Sequence, residues 1–243
     1  MAAMSAIGID IAEKCYRAPA GAPGREIFRG FCLDIGEGEF VALLGESGIG
    51  KTTLLNIVAG LDRDYRGTVS FGSGAPRLGY AFQNPRLLPW RSVLENVALP
   101  LPPGQEGRHR ARAMLEEVGL GELADAYPER LSLGQQRRVA LARAFAIEPD
   151  VLLMDEPFVS LDEAGAARLR DLLRRLLAGR PATVLFVTHD RREAVELASR
   201  IVVLEGAPVR IVRDMPLALT STERASAARI DEVRRALGAA APG

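Results

Sequence analysis

Apolar residues in this chain follow two rhythms. Unbroken apolar runs of strand length occupy 39–44 (Glu39-Phe40-Val41-Ala42-Leu43-Leu44), 151–154 (Val151-Leu152-Leu153-Met154), 183–187 and 201–204. Such runs predict strands covered on both faces, which have no polar side to show. Between them, apolar positions recur at three- and four-residue spacing over 51–59, 108–118, 134–147, 163–178, 191–198 and 226–237. That is the period of a helix with one buried face. Shorter strands are expected at 67–71, 77–82 and 209–212. Gly60 closes the helix over 51–59, Pro128 separates the next two helices, and Pro149 stops the one over 134–147. Positions 84–104 carry Pro85, Pro89, Pro100, Pro102 and Pro103, which break any long element.

Strands alternating with helices predict an α/β fold: a parallel sheet with helical crossovers. The block between about 84 and 147 is helical without strands and is expected to stand outside the sheet as an inserted subdomain. The N-terminal ~40 residues and the strands within 67–82 are expected to form a small antiparallel layer.

Composition narrows the classes. A chain of 243 residues is long enough for one large domain or two small ones. Lys+Arg and Asp+Glu both count 31, giving a formal net charge of zero and no electrostatic reason to expect nucleic acid or anionic lipid. Cys15 and Cys32 are too few for a disulfide scaffold and fit no metal spacing, so they read as reduced thiols of a cytosolic protein. The N-terminus shows no charged-then-apolar signal pattern. No apolar run approaches the ~20 residues of a membrane helix, so the chain is not expected to be a channel or permease itself. Among the basic residues only Lys14 and Lys51 are lysine; the rest are arginine. Lysine therefore stands at 51 where a compact ammonium differs physically from a planar guanidinium.

The chemistry concentrates in a few stretches. Gly45-Glu46-Ser47-Gly48-Ile49-Gly50-Lys51-Thr52 matches GxxxxGK[ST] after a predicted strand and at the start of a predicted helix. Glycines there let backbone N–H groups converge on an anion, and the helix N-terminus adds its dipole. Lys51 is expected to reach the β- and γ-phosphates of a nucleotide and the Thr52 hydroxyl to bind Mg²⁺; Thr53 follows in the same turn. The apolar strand 151–154 runs into Asp155 and Glu156. Asp155 fits a Mg²⁺ partner, and Glu156 fits the base that orients the attacking water, although one acid at a strand end is often only structural.

A phosphate loop and an acidic pair leave kinases, GTPases and motors open. The discriminating stretch is Leu131-Ser132-Leu133-Gly134-Gln135-Gln136-Arg137-Arg138-Val139-Ala140-Leu141-Ala142-Arg143-Ala144. It resembles the LSGGQ signature of the ATP-binding-cassette family with its following QRV-A-ARA helix. Read alone, Ser132 could simply cap that helix. Gln83 in Ala81-Phe82-Gln83-Asn84-Pro85 is similar to the family's glutamine loop, Ser160-Leu161-Asp162 to its seam loop, and His189 in Val187-Thr188-His189-Asp190 to its γ-phosphate histidine. Tyr16 stands where the family has an aromatic that stacks on adenine, with Phe28 and Phe31 as alternatives. His109, in an arginine-rich helix, reads as solvated.

All these elements stand in family order over about residues 5–215, followed by a helical tail at 216–243. The resemblance implies a P-loop NTPase (RecA-like) core and a head-to-tail homodimer. Each ATP would then lie between the phosphate loop of one copy and Ser132, Gly134 and Gln135 of the other, with Asp162 at the seam and Gln83 sharing the Mg²⁺ site. The chain departs from the family at Leu133, where glycine is usual; the backbone N–H survives, but a bulky side chain must find room near the seam. The run Leu87-Leu88-Pro89-Trp90 looks like that of the nitrate/sulfonate/taurine importer branch. It implies separate permease subunits, a solute-binding protein and a place on the cytoplasmic face of a bacterial inner membrane. Trp90 between prolines can be a docking surface or can pack onto the helical arm. An exporter or lipoprotein-release ATPase would share every catalytic residue. A soluble cassette ATPase acting on DNA or ribosomes would usually add a coiled coil, a second cassette or a basic surface.

Overall fold

A computed structural model describes residues 5–16, 24–72 and 74–238. Its elements in chain order are β1 (Ser5–Tyr16), β2 (Arg25–Gly36), β3 (Phe40–Leu44), α1 (Lys51–Val58), β4 (Arg66–Phe71), β5 (Leu78–Ala81), α2 (Val93–Ala98), α3 (Gln105–Glu117), α4 (Leu133–Phe145), β6 (Val151–Asp155), α5 (Glu163–Gly179), β7 (Thr183–Thr188), α6 (Arg191–Leu197), β8 (Arg200–Glu205), β9 (Arg210–Pro216), α7 (Ser221–Ala225) and α8 (Ala227–Gly238). They gather into two compact units, one from residues 1–75 and 183–243, the other from 76–182.

In the first unit β1 lies between β2 and β4, antiparallel to both. Ile7, Ile9 and Ile11 alternate along β1 and are buried, the period-2 pattern of a sheet with one covered face. A second sheet is built on β3, which pairs in parallel with β7 and β8; β9 adds an antiparallel edge to β8. Here β3 and β7 are apolar almost throughout and buried, as strands covered on both faces must be. β3 feeds the glycine turn and α1, which buries Leu54, Leu55, Ile57 and Val58. The tail expected over 216–243 contains α7 as well as α8; residues 239–243 lie outside the described residues, as do 17–23 and 73 within the expected 5–215 span.

In the second unit β5 and β6 pair in parallel. The helices expected between 84 and 147 are α2, α3 and α4, and α5 follows β6. One expectation fails. Only β4, of the strands expected within 67–82, joins the antiparallel layer; β5 pairs instead with β6, Ala81 opposite Met154. Gly79 permits this seat: a Cβ there would lie 2.7 Å from the Ala144 carbonyl oxygen and 3.2 Å from Pro149, so the strand is fitted against the end of α4.

Candidate functional site

The phosphate loop joins β3 to α1 as expected. Gly50 stands at the cap position of α1 with φ 131°, and no side chain caps that helix. A Cβ on Gly50 would lie 2.6 Å from Ile27 Cγ2, so both the backbone angle and the packing demand glycine. Gly48, at φ 76°, also lies in the left-handed region. The Lys51 ammonium, only 4% exposed, donates to the carbonyls of Gly45 and Glu46 at 2.7 and 2.8 Å, which centres it inside the loop. Arg25 donates to the Gly48 carbonyl at 2.7 Å and pins the loop's crown from β2.

Register places His189 beside this loop. Leu44 pairs with Thr188, so Gly45 and His189 each stand one residue beyond the carboxyl ends of adjacent parallel strands. Open α/β sheets place their ligands at that edge. Gly45, Glu46, Ser47, Ile49 and His189 line one cavity of about 560 Å³. Tyr16 ends β1 and is 44% exposed, with its hydroxyl 3.2 Å from Thr53 Oγ1. Phe28 and Phe31 are 0% and 3% exposed and pack on each other at 5.1 Å, so neither offers a face to a ligand.

The second unit brings the remaining acids together by the same logic. Because Ala81 pairs with Met154, Gln83 and Glu156 each stand two residues beyond paired positions at the carboxyl edge, with Asp155 between. Asp155 is 3% exposed, and Glu156 adopts φ 42°, a conformation rare for a side chain with a Cβ and frequent at active sites. Burial first, and then the Asp155 charge, push the Tyr80 phenol far above its ordinary value, so Tyr80 stays neutral beside the acids. Asp155, Gln83 and Thr52 each carry an oxygen donor (carboxylate, amide and hydroxyl), the donor type that Mg²⁺ selects.

Ser132 caps α4 in a capping box: Gln135 N–H donates to Ser132 Oγ at 3.3 Å, and Ser132 N–H to Gln135 Oε1 at 2.8 Å. A Cβ on Gly134 would lie 3.9 Å from Leu161, so the signature turn and the seam loop adjoin. Ser160 adopts φ 64°, and Asp162 caps α5 by accepting from Gly165 N–H at 3.0 Å. Leu133 points outward at 38% exposure.

Sequence reasoning missed the residues that hold these loops. Arg137 on α4 donates to the carbonyls of Phe82 (3.4 Å) and Val159 (3.2 Å), and Arg143 to those of Arg86 (3.0 Å) and Pro85 (2.7 Å). One helix thus grips both the glutamine loop and the stretch after Glu156. Asn96, fully buried on α2, accepts from Leu88 N–H at 2.7 Å, and its two amide N–H groups are shared among the carbonyls of Leu88, Arg91 and Ser92 at 3.0–3.1 Å. That brace presents Trp90 at 71% exposure, so the indole does not pack onto the helical arm. Nothing in the sequence marks these arginines among so many others; Asn96 carried a signal only through the Ser92–Glu95 capping box that starts its helix.

Residues 28–159 match the family described as ABC transporter. The chain is 49% identical over 196 residues to the aliphatic sulfonates import ATP-binding protein SsuB 2 of Mesorhizobium japonicum, covering 79% of this chain and 77% of that protein. It is 43% identical over 226 residues to SsuB 1 of Pseudomonas fluorescens, covering 93% and 85%. Among solved structures it resembles the dimeric ATP-binding cassette MJ0796 in a post-hydrolysis state bound to ADP and Pi: TM-score 0.76, 33% identity, 88% of this chain and 100% of that one.

Proposed function

We propose, on the premise that the chain belongs to the ABC transporter family, that it powers a bacterial importer of sulfonate-class anions. Its activity is ATP binding and hydrolysis coupled to transport, and its partners are a second cassette and a membrane permease. No helix among the described residues is long and apolar enough to cross a membrane. The importer reading adds a solute-binding protein that delivers the anion and a place on the cytoplasmic face of the inner membrane.

The roles follow from the groups. Lys51 and the uncapped start of α1 hold the β- and γ-phosphates, His189 contacts the γ-phosphate, and Tyr16 stacks on adenine. Thr52, Asp155 and Gln83 would hold Mg²⁺, which when bound neutralises charge on the phosphoryl oxygens. Glu156 takes the proton of the attacking water. Ser132, Gly134 and Gln135 of the second copy close the nucleotide from the far side, with Asp162 at the seam. Leu87–Trp90 faces the permease, since a braced, exposed tryptophan suits a docking anchor.

The observation that carries the nucleotide-site part of this reading is the cavity that joins His189 to the glycine loop at one sheet edge. Glu156→Gln tests the chemistry: the variant should bind ATP, form an ATP-dependent dimer and turn over at least ~100-fold more slowly, the lower range of a lost general base. Full turnover would remove Glu156 from the role of base. Affinity purification from membranes tests the partner. A co-purifying permease of the sulfonate class supports the import assignment; an exporter subunit, ribosomes or DNA would refute it.

A further inference from the structure

We infer that Lys14 and Asp62 are positioning residues for base recognition, fixing Tyr16 as a one-sided platform. The inference rests on the reading that Tyr16 stacks on adenine. Lys14 is one of two lysines in a chain rich in arginine, and it is 2% exposed. An ammonium has three N–H donors and a full charge; two oxygens take hydrogen bonds from it here, and an aromatic ring stands beside it. Lys14 Nζ lies 2.9 Å from Asp62 Oδ1 and 2.7 Å from the Asp64 carbonyl oxygen, and 4.6 Å from the centroid of the Tyr16 ring.

The ring is fixed at its other end as well. The Tyr16 hydroxyl lies 3.2 Å from Asp62 Oδ2 and 3.2 Å from Thr53 Oγ1 on α1. One carboxylate therefore holds both the cation beneath the ring and the ring's own hydroxyl. Burial pushes the Asp62 carboxyl up, but hydrogen bonds from Lys14, Asp64 N–H and Tyr16, with the Lys14 charge, outweigh it and hold it below the ordinary carboxylate range.

A compact ammonium fits this corner, whereas a guanidinium is planar and wider and would have to displace either the ring or the carboxylate. With one ring face on Lys14 and the hydroxyl engaged, the opposite face is the one left for a base. The tether to Thr53 ties that face to the helix that begins at the phosphate loop, so base and triphosphate are read by one rigid piece. Lys14 and Asp62 touch the platform rather than the nucleotide. Their contribution belongs to the base and not to the phosphates.

The test compares binding of ATP and of inorganic tripolyphosphate by the full chain. Lys14→Met should weaken ATP about tenfold, the scale of one well-placed base stack, and leave tripolyphosphate unchanged. Tyr16→Ala should do the same, and the two changes together should cost no more than Tyr16→Ala alone. Asp62→Asn, partly exposed and close in shape, should reproduce the loss of ATP preference and keeps the test open if Lys14→Met folds poorly. Equal weakening of both ligands, or additive effects of Lys14→Met and Tyr16→Ala, would overturn the role of Lys14. A wild-type chain that binds tripolyphosphate as tightly as ATP would instead sink the Tyr16 platform itself, and the inference with it.

Discussion

Gly50→Ala isolates what the phosphate loop requires of its backbone. At φ 131° the residue sits where L side chains are rarely found, and the added methyl would lie 2.6 Å from Ile27 Cγ2, 3.4 Å from Val209 Cγ2 and 3.5 Å from Phe28 Cζ. All three neighbours are core residues at 3% exposure or less, so the clash cannot be relieved by moving a surface side chain. The backbone strain is on the order of 1–3 kcal/mol. Overpacking a close-packed core adds about 1–3 kcal/mol. Together they cost about 2–6 kcal/mol, roughly 5–20 °C in Tm for a chain of this size. The loop can escape part of that cost only by shifting its N–H groups, which costs nucleotide affinity instead. Gly48→Ala is the control: φ 76° is also left-handed, but a Cβ there meets nothing within 4 Å, so about 1–2 kcal/mol is expected. Thermal scans with and without ATP measure both losses. Gly50→Ala with wild-type Tm and wild-type ATP affinity, or no worse than Gly48→Ala, would refute the argument from crowding.

Other predictions follow from the same geometry. The Asp62 carboxyl is held below its ordinary value in the folded chain, so its stabilising contribution is present above the unfolded pKa and is lost as pH falls through the folded one. The Tm gap between wild type and Asp62→Asn should therefore be constant from pH 7 to about 5 and shrink below about pH 4. Arg143→Met removes donors at 2.7 and 3.0 Å from the carbonyls of Pro85 and Arg86; hydrogen exchange should speed up over residues 84–92 while β3 and β7 stay protected. Leu133→Gly should cost up to about 1 kcal/mol in the first turn of α4. In a Glu156→Gln background it should also tighten the ATP-dependent dimer, read by gel filtration; an unchanged dimer would show that Leu133 does not obstruct the seam.

What the sequence disclosed was set by how local each signal is. The phosphate loop was legible because glycine spacing, lysine and the strand–turn–helix context lie within a dozen or so residues. Strand partners were not, since β5 is four residues long and meets its partner from residues 151–154, with three helices between. Its closeness to β4 in sequence favoured the wrong neighbour. The short α2 was hidden among prolines, although Ser92 and Glu95 form a capping box that could have announced it. Leu133 stood out as a departure, but only its outward direction says that it faces solvent within this chain. Lys14 was visible as a compositional oddity; that its ammonium lies 4.6 Å from the Tyr16 ring centroid is set by the fold.

The hydrogen bonds of Asn96 bear on the energetics of assembly. Ordering a backbone residue costs on the order of 1–2 kcal/mol, and a slack loop would charge that sum to every encounter with another protein. Here the segment around Trp90 has already lost its freedom when the chain folds. A partner that engages the indole meets a preformed anchor, and a shift of that anchor is passed to α2 instead of being absorbed by a yielding loop.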